Sequence, residues 1–184
     1  MSLSRVPLIV WILIPTAIVI GLGVWFFTKS SANQPKDETK VEAVSKPVEG
    51  TIDYPIVSRE HISEGAGGSG YNSNPPSSGP HWPSSAKNGI YDVAEPDERY
   101  IHDLEHGYIW VTYKPDAGNE TINKLKEIVK ADDWKTVMTP RDKNDAKIAL
   151  VAWGRVLNMD SLDEVKIKDF IKTYRNRGPE KTPD

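Results

Sequence analysis

The chain has 184 residues, no cysteine, 26 acidic and 23 basic side chains, and a net charge of -3. The absence of cysteine excludes disulfides, thiolate zinc sites, iron–sulfur clusters and thiol catalysis. Any bound metal must therefore use histidine, carboxylate, methionine or water as ligands. The composition shows no basic excess of the kind that binds nucleic acid, and we predict no nucleic-acid partner.

An apolar run over residues 7–27 contains no charged residue. About 21 helical residues span about 30 Å, which matches the hydrocarbon core of a bilayer. Trp11 and Trp25 lie towards its two ends, where interfacial aromatic residues are common. We therefore predict a short tail over residues 1–6 and a single-pass transmembrane anchor over 7–27, with the lipid bilayer as its partner. A cleaved signal peptide is the alternative, although its apolar region would be unusually long.

Residues 28–52 are polar and of mixed charge, without the apolar period of a helix or a strand. This pattern predicts a flexible linker, followed by one globular domain over 53–184. The domain opens with an irregular stretch, 63–90, rich in Gly, Ser, Pro and Asn. Such a long stretch inside a compact domain is usually functional or disordered, and its aromatic residues favour an ordered loop.

The remaining sequence alternates between strand and helix patterns. It predicts strands over 108–113, 135–139 and 148–153 and a helix that Asn119 caps and that runs to about Ala131. A last helix starts at the capping box Ser161-x-x-Glu164 and ends at Gly178-Pro179. The fold class is therefore α+β. We expect a small mixed or antiparallel sheet with two helices and a long Pro/Gly-rich N-terminal loop region, preceded by one transmembrane helix.

The four histidines, His61, His81, His102 and His106, all lie in the first part of the predicted domain. We predict a metal site formed by His81, His102 and His106, with His61 as a further candidate whose participation the sequence leaves open. Two of them are four residues apart, which places both on one face of a helix. Pro96 and Asp97 can open that short helix, and Gly107 can end it. A loop histidine and a helical pair commonly combine in three-histidine sites. Asp103 and Glu105 can orient the imidazoles.

The residue types leave the ion and the function open. Imidazoles suit zinc, copper or nickel, and Met138 and Met159 are possible soft ligands, so copper is favoured over zinc. A methionine on a strand is more often core. One alternative is a metal-free interaction module with structural histidines. Another is a zinc hydrolase of the His-x-x-Glu-His type in which Glu105 activates water, although that motif normally lies inside a long helix.

Several blocks together resemble a known family. They are His61-Ile62, Asn74 to His81, Gly89-x-Tyr91, His102 to Gly107, Ala152 to Arg155 and Gly178 to Glu180. Over residues 53–180 the chain resembles DUF3105, a prokaryotic family of unknown function whose members carry an N-terminal membrane anchor. The resemblance implies that the four histidines and Glu105 occupy the family's pattern positions, and it implies an extracytoplasmic domain.

The location rests on that resemblance, because the basic residues on the two sides of the apolar run do not favour an outside domain. The resulting hypothesis is a membrane-tethered extracytoplasmic domain that binds copper or zinc, for metal handling or a redox step. The resemblance assigns no activity, no substrate and no protein partner.

Overall fold

The computed structural model describes residues 46–182. The predicted tail, the anchor over 7–27 and residues 28–45 of the predicted linker lie outside this range. Within it, no helix is both long enough and apolar enough to cross a membrane. The elements are β1 Ile52–Asp53, β2 Gly89–Ile90, α1 Asp97–Glu105, β3 Ile109–Tyr113, a 3-10 turn Pro115–Ala117, α2 Asn119–Ala131, β4 Thr136–Pro140, β5 Ile148–Ala152, β6 Arg155–Met159 and α3 Glu164–Tyr174.

The strands form one mixed sheet in the order β1-β6-β5-β3-β4-β2. Strand β3 pairs in parallel with β4 and antiparallel with β5, which in turn pairs antiparallel with β6. Helix α2 connects the parallel strands β3 and β4, as a crossover connection requires. The described residues thus contain three helices and a six-stranded mixed sheet, which confirms the predicted α+β class.

The central strands form where the sequence is continuously apolar. All five residues of β3 and all five of β5 are buried, so both faces of the sheet are covered at these strands. Helix α2 ends at Ala131 as predicted, but its N-cap is Gly118 and not the predicted Asn119, which is the first helical residue. Its buried side chains recur at helical spacing: Leu125, Ile128 and Val129. Residues 46–52, at the end of the predicted linker, contribute Val48 to the main core.

Two further sequence predictions need correction. Strand β6 was missed, because the predicted strand ended at Gly154; that glycine has φ +70° and turns the chain back so that β6 pairs with β5. The predicted bounds of the last helix were wrong, because α3 ends at Tyr174, before Gly178-Pro179, and Ser161 is not its cap. Asp163 caps α3, since its carboxylate accepts a hydrogen bond of 3.0 Å from the backbone N–H of Lys166.

The sheet separates two hydrophobic clusters, because alternate residues of each strand point to opposite faces. Ile109 and Val111 belong to the larger cluster with α2 and α3, whereas Trp110 belongs to the smaller cluster with α1. Met138 and Met159 are buried in the larger cluster. They are core residues on the face away from α1, so neither thioether can reach a metal bound beside α1.

Two helical valines test where the core lies. Val129 in α2 is fully buried and Val165 in α3 is 70% exposed. We expect Val129→Ala to lower the free energy of unfolding by about 1.5–3 kcal/mol, because it removes two buried methyl groups and leaves a cavity beside their neighbours. Val165→Ala should change it by no more than about 0.5 kcal/mol. Urea unfolding followed by circular dichroism measures both, and equal losses would contradict this packing.

Candidate metal centre

Helix α1 supplies the centre of the site. It begins at Asp97 as predicted, and every residue from Tyr100 to Glu105 is buried. His102 and Glu105 are three positions apart, so their side chains lie on the same face of the helix. His106 is the C-terminal cap residue. The helix thus presents a carboxylate, an imidazole and a neighbouring imidazole within a single turn.

The long loop brings two further imidazoles to this helix. The backbone N–H of His81 donates to Glu60 O at 2.9 Å, and the N–H of Ile62 donates to His81 O at 2.8 Å. These bonds align His61 with His81 in a parallel bridge. Their rings consequently lie 4.8 Å apart, centre to centre. Two histidines that are distant in the sequence therefore become immediate neighbours.

Three imidazoles and one carboxylate converge on a common point. One ligand atom from each of His61, His81, His102 and Glu105 lies within 4.8 Å of all the others. The ring centres of these histidines are 4.8, 5.2 and 5.4 Å apart. Imidazoles that share a tetrahedral ion at about 2.0–2.1 Å have ring centres about 5 Å apart. The arrangement therefore has the dimensions of a mononuclear metal site.

The hydrogen bonds of His81 fix which of its nitrogens faces the site. Its Nδ1 lies 2.7 Å from Gly79 O, which can only accept, so Nδ1 carries a proton and donates. Its Nε2 lies 3.1 Å from Glu105 Oε2. In a neutral ring, His81 Nε2 would then carry a lone pair that faces a lone pair of Glu105 Oε2, and this contact is buried. Only a proton or a metal ion at Nε2 makes this contact favourable.

Glu105 is ionised although it is almost fully buried. Burial opposes its ionisation, but the hydrogen bond from Arg59 and the attraction of His81 and Arg59 outweigh it, so the pKa of Glu105 is lowered. Arg59 Nε donates to Oε1 at 2.5 Å. The other oxygen, Oε2, lies 3.1 Å from His81 Nε2 and 3.6 Å from His61 Nε2. One carboxylate oxygen therefore faces the arginine and the other faces the imidazoles.

His102 is a neutral imidazole at physiological pH. Burial, reinforced by repulsion from His106, His81 and His61, lowers the pKa of His102 to about 4. Its Nε2 lies 3.0 Å from His106 Nε2. Among the described residues, the buried Nδ1 atoms of His102 and His106 have no hydrogen-bond partner. Without a metal, the two Nδ1 atoms of this pair stay unsatisfied. Because His102 is neutral, one of its nitrogens carries a lone pair and can bind a metal ion without first losing a proton.

Two glycines allow the C-terminal segment to cross the end of α1. A Cβ atom on Gly178 would lie 2.1 Å from Glu105 O, and Gly107 has φ +83° with Asn176 against it. The close approach lets the N–H of Glu180 donate to Glu105 O at 3.0 Å. It also brings the Glu180 carboxylate to Arg59 Nη2. Residues at the two ends of the domain thus meet beside the site.

The structure gathers most of the predicted site residues. His61, His81 and His102 form the group with Glu105, which the sequence analysis had placed beside the site or in catalysis. His106 contacts His102 but lies outside that group, and its role as a ligand stays a prediction. Trp153 is buried and meets the His81 ring edge-on at 6.2 Å between ring centres.

Two residues of the site were missed. Arg59 lies outside the family blocks, and Glu180 ends one of them without a predicted chemical role; only their contacts in the folded chain connect them with Glu105. A signal existed for Arg59, because it is two positions before His61 and side chains at that spacing share a face of an extended chain. Arg155, the last residue of the Ala152 to Arg155 block, pairs with Asp53 at 2.7 Å.

The comparisons with known proteins agree with the motif blocks. The family model described as a protein of unknown function, DUF3105, matches residues 65–184, which is more than half of the chain. The chain belongs to the DUF3105 family. The matched range of DUF3105 includes His81, His102 and Glu105, whereas Arg59 and His61 precede it. Searches among curated proteins and among solved structures found no match.

The metal-free DUF3105 domain should lose stability in mild acid. His102 has a lower pKa in the folded chain, about 4, than its ordinary 6.5. Protonation therefore favours the unfolded state, and the free energy of unfolding should fall as the pH drops from about 6.5 to 4. Below about 4.5, protonation of Glu105, whose pKa is also lowered, should add to the loss. Urea unfolding with chelator at several pH values measures this dependence.

The variant His102→Gln removes the first of these contributions, so its stability should vary less between pH 6.5 and 4 than that of the parent chain. A parallel His61→Gln variant should keep most of this dependence, because burial is the largest cause of the lowered pKa of His102 and repulsion from the half-exposed His61 is a smaller one. The same pH dependence in the parent chain and in His102→Gln would contradict the neutral buried imidazole.

Proposed function

We propose that this DUF3105 protein is a metal-binding domain held at the membrane by residues 7–27 and exposed outside the cytoplasm. The supporting observation is the convergence of His61, His81, His102 and Glu105, with ligand atoms within 4.8 Å of one another. The apolar run of residues 7–27 supports the tether, and its length suits one bilayer crossing. A C-terminal reporter fusion that is active only outside the cytoplasm tests the orientation.

The chemistry of the donor set favours a metal over a purely structural role for the histidines. An ion would accept the lone pair of His81 Nε2 that otherwise faces Glu105 Oε2 at 3.1 Å. It would also use a nitrogen of His102, a ring with an unpartnered buried Nδ1. A proton on His81 Nε2 would make its contact with Glu105 favourable, but it would leave the buried Nδ1 of His102 without a partner. An ion that His102 coordinates through Nδ1 would account for both observations.

A divalent transition ion fits these ligands best. Imidazole nitrogens suit zinc and copper, and a carboxylate oxygen is a harder ligand than copper(I) prefers. Met138 and Met159 belong to the core cluster on the other face of the sheet, so they offer no thioether to the ion. We therefore propose zinc(II) or copper(II). Either ion, held by these ligands, would serve a structural or transfer role.

The hydrolase alternative is not supported by the position of Glu105. Its Oε1 accepts from Arg59, and its Oε2 contacts His81. A glutamate that activates water needs an oxygen directed at that water and not at a ligand nitrogen. In this site the carboxylate occupies the place of a ligand, and His106, the second histidine of the motif, lies outside the convergent group.

Metal binding by variants of single ligands tests the proposal. We expect the purified full-length chain to bind one zinc or copper ion, and we expect His61→Ala and Glu105→Gln to raise the dissociation constant at least about tenfold. Competition titration with a chromophoric chelator gives the constants, and elemental analysis gives the stoichiometry. Glu164→Gln is a control of the same chemical change, since Glu164 is partly exposed and pairs with Lys168 on α3.

The outcome is decided by the comparison of these chains. Equal affinity in the parent chain and both ligand variants, or no binding at all, would contradict the metal site. A site that binds ions only in the folded state must also stabilise it. At a free-ion concentration of 100 times the dissociation constant the gain is about 2.7 kcal/mol, which raises the melting temperature by several degrees.

A further inference from the structure

An extended segment that precedes the family match delivers two side chains to Glu105. The N–H of Val57 donates to Ser78 Oγ, and Ser58 O accepts from the N–H of Gly79. These bonds hold the segment along the loop that carries His81. Arg59 and His61 are two positions apart on it, and both face Glu105, at Oε1 and Oε2 respectively. Their shared direction follows from the period of two in an extended chain.

We propose that Arg59 is a positioning residue of the metal centre, which holds Glu105 as a one-oxygen ligand. This inference rests on the proposed function. Arg59 Nε donates to Oε1 at 2.5 Å, so that oxygen is turned away from the imidazoles. Only Oε2 remains near His81 and His61. Because Glu105 is 1% exposed, water cannot substitute readily for the arginine at Oε1.

Arg59 is itself held from the opposite side. Its Nη2 donates to Glu180 Oε1, and the backbone N–H of Glu180 donates to Glu105 O at 3.0 Å. The guanidinium is therefore fixed between two carboxylates, that of Glu105, which it orients, and that of Glu180, whose backbone is bonded to the end of α1. Arg59 is 47% exposed, so this fixation by two partners is what distinguishes it from an ordinary surface arginine.

The coordination number follows from this orientation. Three imidazole nitrogens and one carboxylate oxygen give four ligands, the number that suits tetrahedral zinc. Without the arginine, the carboxylate could rotate and offer both oxygens, which would expand the coordination. Lysine keeps the charge but lacks the planar fork that joins two carboxylates, so it should not reproduce the geometry.

Cobalt(II) is a suitable probe, because its four-coordinate complexes absorb visible light more strongly than five- or six-coordinate ones. We expect full-length Arg59→Met to bind cobalt(II) about 10–100-fold more weakly than the parent chain. We also expect weaker visible absorption per bound ion. Arg59→Lys should show the same weak spectrum even where it recovers affinity. Arg155→Met is the matched control, since Arg155 forms an exposed ion pair with Asp53.

Parent-like affinity and spectrum in Arg59→Met would overturn the positioning role while leaving the metal site intact. Failure of the parent chain to bind cobalt(II) would instead overturn the proposed function, and this inference with it. Thermal unfolding of each metal-free variant shows whether the chain has folded. If Arg59→Met does not fold, Glu180→Gln provides the test, because it weakens the contact that holds Arg59 from the side opposite Glu105. We expect Glu180→Gln to bind cobalt(II) with an affinity between those of the parent chain and an Arg59 variant, and parent-like binding would contradict the proposal.

Discussion

A buried carboxylate is the constraint around which this part of the molecule is arranged. Glu105 is 1% exposed, and an ionised carboxylate in such a position is costly unless charged groups and hydrogen-bond donors surround it. Arg59 meets one oxygen, and the imidazoles of His81 and His61 meet the other. These partners come from segments far apart in the chain. The negative charge of Glu105 is therefore stabilised only where the extended N-terminal segment, the long loop and helix α1 meet.

The fold separates this polar centre from the main core. Helices α2 and α3 cover one face of the sheet with aliphatic and aromatic side chains, whereas α1 and the loop lie on the other face. The strands between them are buried on both sides, so they form a rigid wall behind the site. Trp153, at the end of β5, contributes to this wall and meets the His81 ring edge-on. His81 and Glu105 are buried against this side of the sheet, and burial strengthens the electrostatic interaction between them.

The sequence predicted those features that are determined locally. Strands β3 and β5 and helix α2 were predicted to within one residue of their observed bounds. A strand buried on both faces is a continuous apolar run and a helix has apolar residues at a period of 3.6, so both can be recognised in the sequence. Strand β6 was missed because its residues carry a weaker signal and depend on the turn at Gly154. The histidines likewise predicted a site, since two of them share a face of one helix and a third follows a proline in the long loop.

What the sequence could not predict was the set of pairings across the chain. The spacing of His102 and His106 favoured that pair as joint ligands, yet the structure places Glu105 with His102, His81 and His61. Which residues of a short helix face a loop depends on where the loop crosses, and that is set by the backbone bonds of His81 and Ile62. Arg59 and Glu180, 121 positions apart, meet only because Gly107 and Gly178 let the C-terminal segment pass close to α1.

The central claim is that imidazoles and one carboxylate bind a common ion. X-ray absorption at the edge of the bound zinc or copper measures this most directly. The structure predicts nitrogen and oxygen neighbours at about 2.0–2.2 Å, the outer-shell scattering of three imidazole rings, and no sulfur neighbour. A sulfur neighbour at about 2.3 Å, or scattering from fewer than two imidazoles, would contradict the account.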